Sequence, residues 1–352
     1  MRFIKEQLPP QTAALVTSEV SRRYVTGFQS SAGEVIVTPD KAYFITDSRY
    51  FDHACRQTYS GIEVVLQKDL RVQRKDILAS HGIDTVMIES RSMTVAELSR
   101  LIELYPDVDF DSSDTLTELI AGARAVKTPR EIEQIVKAQR IAEKAFMKLL
   151  DFLRPNITEK QVRTQLDFYM MESGADGISF DTIAASGVNS SVPHAVPTDK
   201  KLEEGDFVVL DFGAVVNGYH SDMTRTVCIG QPSEQMRRIY EAVLAANLDG
   251  MSAIRSGVTG KLADSVARTS LESVGLDKYF THGLGHGVGL EIHEDPSLSP
   301  NSRDTLKSGM VVTVEPGVYI SGGFGVRIED MVEVTTDGRT NLTKMEKNLI
   351  CL

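Results

Sequence analysis

The sequence predicts a two-part α/β chain, the second part mixed α+β. Three observations carry this reading. Residues 1–124 alternate short apolar runs with helical patterns, residues 125–352 set long capped helices ahead of apolar β runs, and a strong helix start stands where the two meet. Strands are expected at Ala13–Thr17, Val35–Thr38, Ala42–Thr46, Ile62–Leu66 and Asp84–Glu89, with Pro39-Asp40-Lys41 turning the second into the third. From Thr94 to Leu104, Val95, Leu98, Leu101 and Ile102 recur at helical spacing. At Thr128-Pro129-Arg130-Glu131, a capping threonine, a proline at the first helical position and a glutamate that closes a capping box open a helix expected to run through Leu153 and stop at Pro155. The domain boundary is therefore expected at residues 121–127, dividing the chain into 1–124 and 125–352.

The second part contains a faint repeat. Helices led by Asn156-Ile157-Thr158 and Gly257-Val258-Thr259 end at Gly174 and Gly275 after equal spans, each following a long helix that opens near a proline, Pro129 or Pro232. The pattern predicts two related helix pairs over a common sheet, with chance likeness of two capped helices as the competing account.

The composition is that of an ordinary globular chain: 352 residues, 41% apolar and 25% charged. A net charge of −11 argues against a protein whose main task is holding nucleic acid or an anionic membrane. No apolar run approaches the roughly 20 residues of a membrane span, so a cytoplasmic protein is expected. Cys55, Cys228 and Cys351 form no metal-binding spacing, so any metal must be held by oxygen and nitrogen.

Four carboxylates emerge from buried-looking β runs. Phe207-Val208-Val209-Leu210 delivers Asp211; the segment returning from an Asn217-Gly218 turn carries Asp222 towards Val227; Met310–Val314 runs into Glu315; and Gly325–Ile328 runs into Glu329. Asp211 and Asp222 are expected side by side, although pairing of Asp222 with Arg225 is a competing account. Such carboxylates are costly in a core unless ligated, paired or protonated. Between them stands His286, whose flanking glycines are expected to let backbone and ligands come close to the ring. One histidine with four carboxylates suits a pair of divalent ions such as Mn, Co or Zn, which is hydrolytic machinery.

These residues resemble the metallopeptidase family that contains aminopeptidase P, prolidase and methionine aminopeptidase. The matching segments are Leu210-Asp211-Phe212-Gly213, Ser221-Asp222-Met223-Thr224-Arg225-Thr226, Gly285-His286-Gly287 through His293-Glu294, Val314-Glu315-Pro316-Gly317 and Val326-Arg327-Ile328-Glu329-Asp330. Tyr24–Phe28 and Thr46–Tyr50 are similar to the creatinase-type domain that precedes the catalytic one. The resemblance implies a creatinase-like N-terminal α/β domain (1–124) and a pita-bread catalytic domain (125–352) with pseudo-twofold αβ repeats. It implies that Asp211, Asp222, His286, Glu315 and Glu329 bind two divalent metals, manganese foremost, and that a hydroxide bridging them attacks the peptide. It further implies that Glu315 shuttles a proton, that His194 and His293 assist substrate or intermediate, and that Arg327, with Thr226, supports the ligands from behind, Arg327 by orienting Glu329.

The expected substrates are small peptides with proline second, cleaved before the proline by a homodimer. The N-terminal domain argues against methionine aminopeptidase. Where some prolidases carry an arginine after the second histidine, this chain has Ser297, which tilts the reading towards aminopeptidase P-like cleavage with Xaa-Pro dipeptidase as the alternative. A non-metal enzyme such as creatinase, or a non-catalytic binding protein on this fold, would lack the five ligands.

Overall fold

The computed structural model describes residues 1–352, which divide into two compact units, Met1–Arg124 and Ala125–Leu352. The first is built on one six-stranded mixed sheet of order β4-β3-β2-β1-β5-β6. Its strands are β1 (Thr12–Val16), β2 (Glu34–Val37), β3 (Ala42–Thr46), β4 (Glu63–Leu66), β5 (Thr85–Ile88) and β6 (Asp109–Asp111). Alternation along the strands gives both faces apolar groups: Leu15, Ile36, Ile45 and Val86 pack on one side, Val16, Val35, Phe44 and Met87 on the other. Six helices accompany the sheet: α1 (Arg2–Lys5), α2 (Glu19–Thr26), α3 (Phe51–Gln57), α4 (Leu70–Ser80), α5 (Val95–Leu104) and α6 (Thr115–Ala125).

The second unit has two halves of one plan. In the first, α7 (Pro129–Leu150) and α8 (Glu159–Glu172) cover β8 (Ile183–Ser186), β9 (Phe207–Phe212) and β12 (Met223–Cys228). Phe146, Leu149 and Leu166 pack against Val208, Leu210 and Phe212, and the Phe146 and Phe212 rings stack at 5.8 Å. In the second, α9 (Glu234–Ala253) and α10 (Gly260–Glu272) cover β13 (Gly285–Gly287), β15 (Val311–Val314) and β18 (Asp330–Val334). There Val243, Ala246 and Ala267 meet Val312, Val314 and Val332. The equivalence extends to detail. Thr158 and Thr259, which cap α8 and α10, each form an isolated antiparallel bridge, to Lys201 and Thr305, and Gly174 and Gly275 both turn out of the helix end with positive φ. The sequence repeat is therefore structural.

Helix α7 opens on the expected capping box of Thr128 and Glu131 but ends at Leu150. Phe152 and Leu153 donate back to Leu149 in a tightened last turn, as expected where a coming proline disfavours helix at the residue before it.

The remaining strands are β7 (Gly177–Ile178), β10 (Ala214–Val216), β11 (Tyr219–His220), β14 (Glu294–Leu298), β16 (Gly317–Tyr319), β17 (Gly325–Arg327), β19 (Arg339–Asn341) and β20 (Ile350–Cys351). The Asn217-Gly218 turn joins β10 to β11, both central residues having positive φ. The hairpin leaves the β9–β12 sheet and pairs instead with β7. Asp211 consequently lies opposite Thr224, not Asp222, which precedes β12. Gly213 permits the crossing, since a Cβ there would lie 1.8 Å from the Ser221 carbonyl oxygen.

If the two helix pairs are equivalent, their capping threonines carry comparable weight. Thr158→Ala and Thr259→Ala should each lower the stability of the Ala125–Leu352 unit by about 1 kcal/mol, read as a shift of its urea transition; a large effect at one position and none at the other would contradict the equivalence.

Candidate metal centre

Each acidic group reaches the site at the end of a buried strand. Asp211 is the last residue but one of β9, Asp222 precedes β12, Glu315 follows β15, and Glu329 stands between β17 and β18. The pairing of β15 with β18 stops at Val314↔Asp330, and that of β16 with β17 resumes in the same register at Gly317↔Arg327. Glu315 and Glu329 therefore face each other across an interruption of the ladder. Their amides turn outward, that of Glu315 to the Leu284 carbonyl (2.8 Å) and that of Glu329 to the Thr224 carbonyl (3.2 Å). Two carboxylates directly opposite repel, and the fold holds them there by bonds to strands on either side.

His286 is carried by β13. Its Nδ1 lies 3.1 Å from the Gly287 carbonyl oxygen, which can only accept, so Nδ1 bears the proton and Nε2 presents a lone pair. That nitrogen is 3.6 Å from Asp222 Oδ2 and 3.5 Å from Glu315 Oε1. Burial pushes the imidazole pKa down to about 4, so near neutral pH the ring is uncharged and these approaches are not ion pairs. The adjacent glycines let backbone come close, as expected: a Cβ at Gly285 would lie 2.1 Å from the Thr313 carbonyl oxygen, and one at Gly287 2.3 Å from that of Asp295.

Burial also governs the acids. It raises the carboxyl pKa of Asp222, with the charges of Glu329 and Asp211 adding to the effect, and raises that of Glu329, with Glu315 and Asp211 adding. Glu315 is pushed up to about 8, chiefly by desolvation. Asp211 Oδ1, Asp222 Oδ1 and Glu329 Oε1 are buried and without a hydrogen-bond partner. Oxygens of this kind are costly to leave unsatisfied. Ligand atoms of Asp222, His286 and Glu329 lie within 4.8 Å of one another. A hard divalent cation fits this set: acceptor-only oxygens, one neutral imidazole lone pair and no thiolate.

The groups behind the acids fix their positions. Arg327, 3% exposed, is no surface ion pair. Its Nη2 donates to Asp211 Oδ2 (2.6 Å), its Nη1 to Tyr319 Oη (2.8 Å) and the Pro193 carbonyl (3.2 Å), and its Nε to Thr224 Oγ1 (3.0 Å). Thr224 passes a hydrogen bond on to Glu329 Oε2 (2.7 Å). Arg327 thus holds Asp211 directly and reaches Glu329 only through Thr224, where the sequence suggested direct contact. Thr226 Oγ1 donates to the Arg327 carbonyl at 2.9 Å and holds its backbone. Arg225 turns away from Asp222 to Asp330, removing the alternative pairing.

A cavity of ≈ 580 Å³ opens over the acids and is also lined by His194, His282 and His293. The His293 ring stands edge-on to that of His286, centroids 4.4 Å apart. His282 donates from Nδ1 to the Gly283 carbonyl (2.8 Å), so its Nε2 accepts from Tyr319 Oη at 3.0 Å. Sequence reasoning assigned nothing to Tyr319, Thr224 or His282. His282 stood in the histidine-rich segment, but its partner is 37 residues away; Thr224 lay in the matching Ser221–Thr226 segment without a role assigned, and Tyr319 lay outside the matching segments.

Residues 133–336 match Metallopeptidase family M24, and residues 11–126 match the Creatinase/Prolidase N-terminal domain. An uncharacterized peptidase, YqhT, of Bacillus subtilis (strain 168) is 43% identical over 339 residues, covering 96% of this chain and 95% of the relative. The solved Xaa-Pro dipeptidase from Bacillus anthracis superposes with a TM-score of 0.93 at 42% identity, covering 97% of this chain and 95% of that one. An X-Pro aminopeptidase from Thermotoga maritima MSB8 gives 0.92 at 35%, covering 99% and 100%.

The raised carboxyl pKa values fix a direction for stability. Up to about 8, Glu315 holds a proton in the folded metal-free chain that it has lost in the unfolded one, so its contribution to stability falls as pH rises through that window. His282 and His286, pushed down to about 4, act in the opposite sense below the ordinary imidazole value, so the acids dominate only above it. Melting of the chelator-treated protein between about pH 7 and pH 9 should show the midpoint descending, and divalent cation added at the alkaline end should raise it. A midpoint that climbs across this range would show that the acids are not buried together.

Proposed function

The chain belongs to metallopeptidase family M24, and from that premise we propose that it hydrolyses the peptide bond between an amino-terminal residue and a following proline, as an Xaa-Pro aminopeptidase. The observation that carries the reading is the convergence of two carboxylates with unpartnered buried oxygens, Asp222 and Glu329, on one imidazole lone pair, with Asp211, which bears a third such oxygen, lining the same cavity. We assign Asp211, Asp222, His286, Glu315 and Glu329 to two divalent cations, manganese foremost, with cobalt and zinc compatible with the same donors. When bound, the cations supply Lewis acidity, polarising the scissile carbonyl and acidifying a water.

The chain's own groups do the rest. Arg327 keeps the Asp211 carboxylate turned into the cavity, and Thr224 does so for Glu329. An Xaa-Pro bond is a tertiary amide whose leaving nitrogen must gain a proton. Glu315 receives a proton from the attacking water and returns it to that nitrogen. His293 and His194, on the cavity wall, donate to the substrate carbonyl or the developing oxyanion. The reading includes peptides with proline second as substrates, a cytoplasmic location and, by family resemblance, a homodimer. No helix is long and apolar enough to cross a membrane.

One observation favours the narrower alternative, Xaa-Pro dipeptidase. Ser297 lines the cavity, but so does the exposed Arg163 of α8, a cation able to meet the free carboxylate of a dipeptide.

Stripping metal with a chelator should abolish turnover, and manganese, cobalt or zinc added singly should restore it. Cleavage of both Xaa-Pro and Xaa-Pro-Yaa supports the aminopeptidase; cleavage of Xaa-Pro alone supports the dipeptidase. Failure on every proline peptide under all three metals sinks the proposal. Asp222→Asn should abolish turnover while raising the melting point of the metal-free chain, because it removes one member of a like-charged buried group.

A further inference from the structure

Behind the acids, on the side away from the cavity, a polar group lies deep in an apolar helix face. Asn247 of α9 is completely buried, among Val243, Ala246 and Met251. Its Nδ2 donates to the Val314 carbonyl oxygen (2.8 Å) and to the Ile328 carbonyl oxygen (3.1 Å). These are the carbonyls of the residues immediately before Glu315 and Glu329. The amide orientation follows from its partners: two carbonyls require donors, and Lys347 Nζ, 3.0 Å from Oδ1, requires an acceptor.

The placement coincides with the interruption of the strand ladder. Between Val314↔Asp330 and Gly317↔Arg327 the two chains keep only one long bond, from the Ile328 amide to the Pro316 carbonyl at 3.4 Å, and their amides at Glu315 and Glu329 turn to other strands. The Asn247 amide bridges this gap with one donor on each side. Lys347 extends the brace, bonding Asp330 Oδ2 at 2.6 Å, and Asp330 Oδ1 accepts from Arg225 Nη2 at 2.8 Å. Arg225 Nη1 in turn holds the Glu329 carbonyl oxygen at 2.6 Å and that of Thr224 at 2.9 Å. Every group in the brace is buried or half-buried, and the carbonyl oxygens of Val314, Ile328, Glu329 and Thr224 that it holds lie at or next to a site acid or its hydrogen-bond partner, while Arg225 is itself anchored to the Met345 and Glu346 carbonyls.

We propose that Asn247 is a positioning residue that sets the separation of Glu315 and Glu329, and thereby the site's capacity to hold two cations together. The inference rests on the two-cation reading above. Asn247 touches neither cation nor substrate; it acts through the two peptide groups it ties.

The test uses the full-length chain stripped of metal and titrated with Mn(II), reading the binding isotherm and the electron paramagnetic resonance spectrum, in which neighbouring Mn(II) ions show exchange coupling. Wild type should take up two ions with a coupled spectrum. Asn247→Leu, of similar volume without donors, should bind the pair roughly 10- to 100-fold more weakly and lose or alter the coupling. Val243→Ala, one turn earlier in the same helix, destabilises the same core without touching either carbonyl and should keep the wild-type isotherm and spectrum. If Asn247→Leu does not fold, Asn247→Ser, which retains one donor, is read in the same way, and weakened pair binding in it supports the proposal. A wild-type isotherm and coupled spectrum in whichever variant folds overturns the role of Asn247 alone. A wild-type chain that never binds a second ion overturns the two-cation reading, and this proposal with it.

Discussion

Four carboxylates and one neutral imidazole line one wall of a single cavity, and the rest of the Ala125–Leu352 unit is arranged around that fact. Left to itself the group is unfavourable: Asp222, Glu315 and Glu329 are desolvated, they face carboxylates of like charge, and the imidazole turns a lone pair towards Asp222 and Glu315. A fold tolerates such a cluster only if covalent geometry and packing prevent it from dispersing. Here that restraint comes from strands whose apolar faces are locked under α7 to α10, so that the strand ends have nowhere else to go.

The restraint is applied twice, once by each half of the repeat. The first half brings Asp211 and Asp222 on adjoining segments of β9 and β12; the second brings His286, Glu315 and Glu329 on β13, β15 and the junction of β17 with β18. Neither half has a complete ligand set. The seam between them is stitched by Arg327, which reaches from the second half to Asp211, and by Thr224, which reaches from the first half to Glu329. A guanidinium suits this task because its planar donors diverge, and here they meet Asp211, Tyr319, Thr224 and a backbone carbonyl at once.

The sequence made some of this legible and not the rest, for physical reasons. Acids that end apolar runs are visible because strand hydrophobicity and carboxylate cost are local properties, which is how Asp211, Glu315 and Glu329 stand out. The capping box at Thr128 is legible because it spans only four residues. Register is not local. Whether Asp211 faces Asp222 or Thr224 depends on where the β10–β11 hairpin departs to join β7, and nothing within the hairpin records that. The direction of Arg327 was likewise hidden, since proximity in sequence favoured Glu329 while the folded chain places Asp211 within reach. Asn247 was invisible for the opposite reason: among the apolar residues of 242–248 it reads as a lone polar group, and its significance lies wholly in two carbonyls more than sixty residues away.

The order of pairing has a consequence for how the protein is made. Strand β12, which follows Asp222 directly, is flanked on one side by β9 and on the other by β20, with Val227 beside Ile350 and Cys228 beside Cys351 in parallel. All six strands of the Met1–Arg124 sheet lie within the first 111 residues, so that unit can fold before the rest of the chain is made. The β8–β9–β12 ladder behind Asp222 draws on residues 183–228, but its second β12 edge is covered only by residues 350–351. Until those residues are in place that edge offers unpaired backbone groups, the feature through which a partly made sheet associates wrongly. The strand beside Asp222 is thus guarded by a segment more than 120 residues further along the sequence.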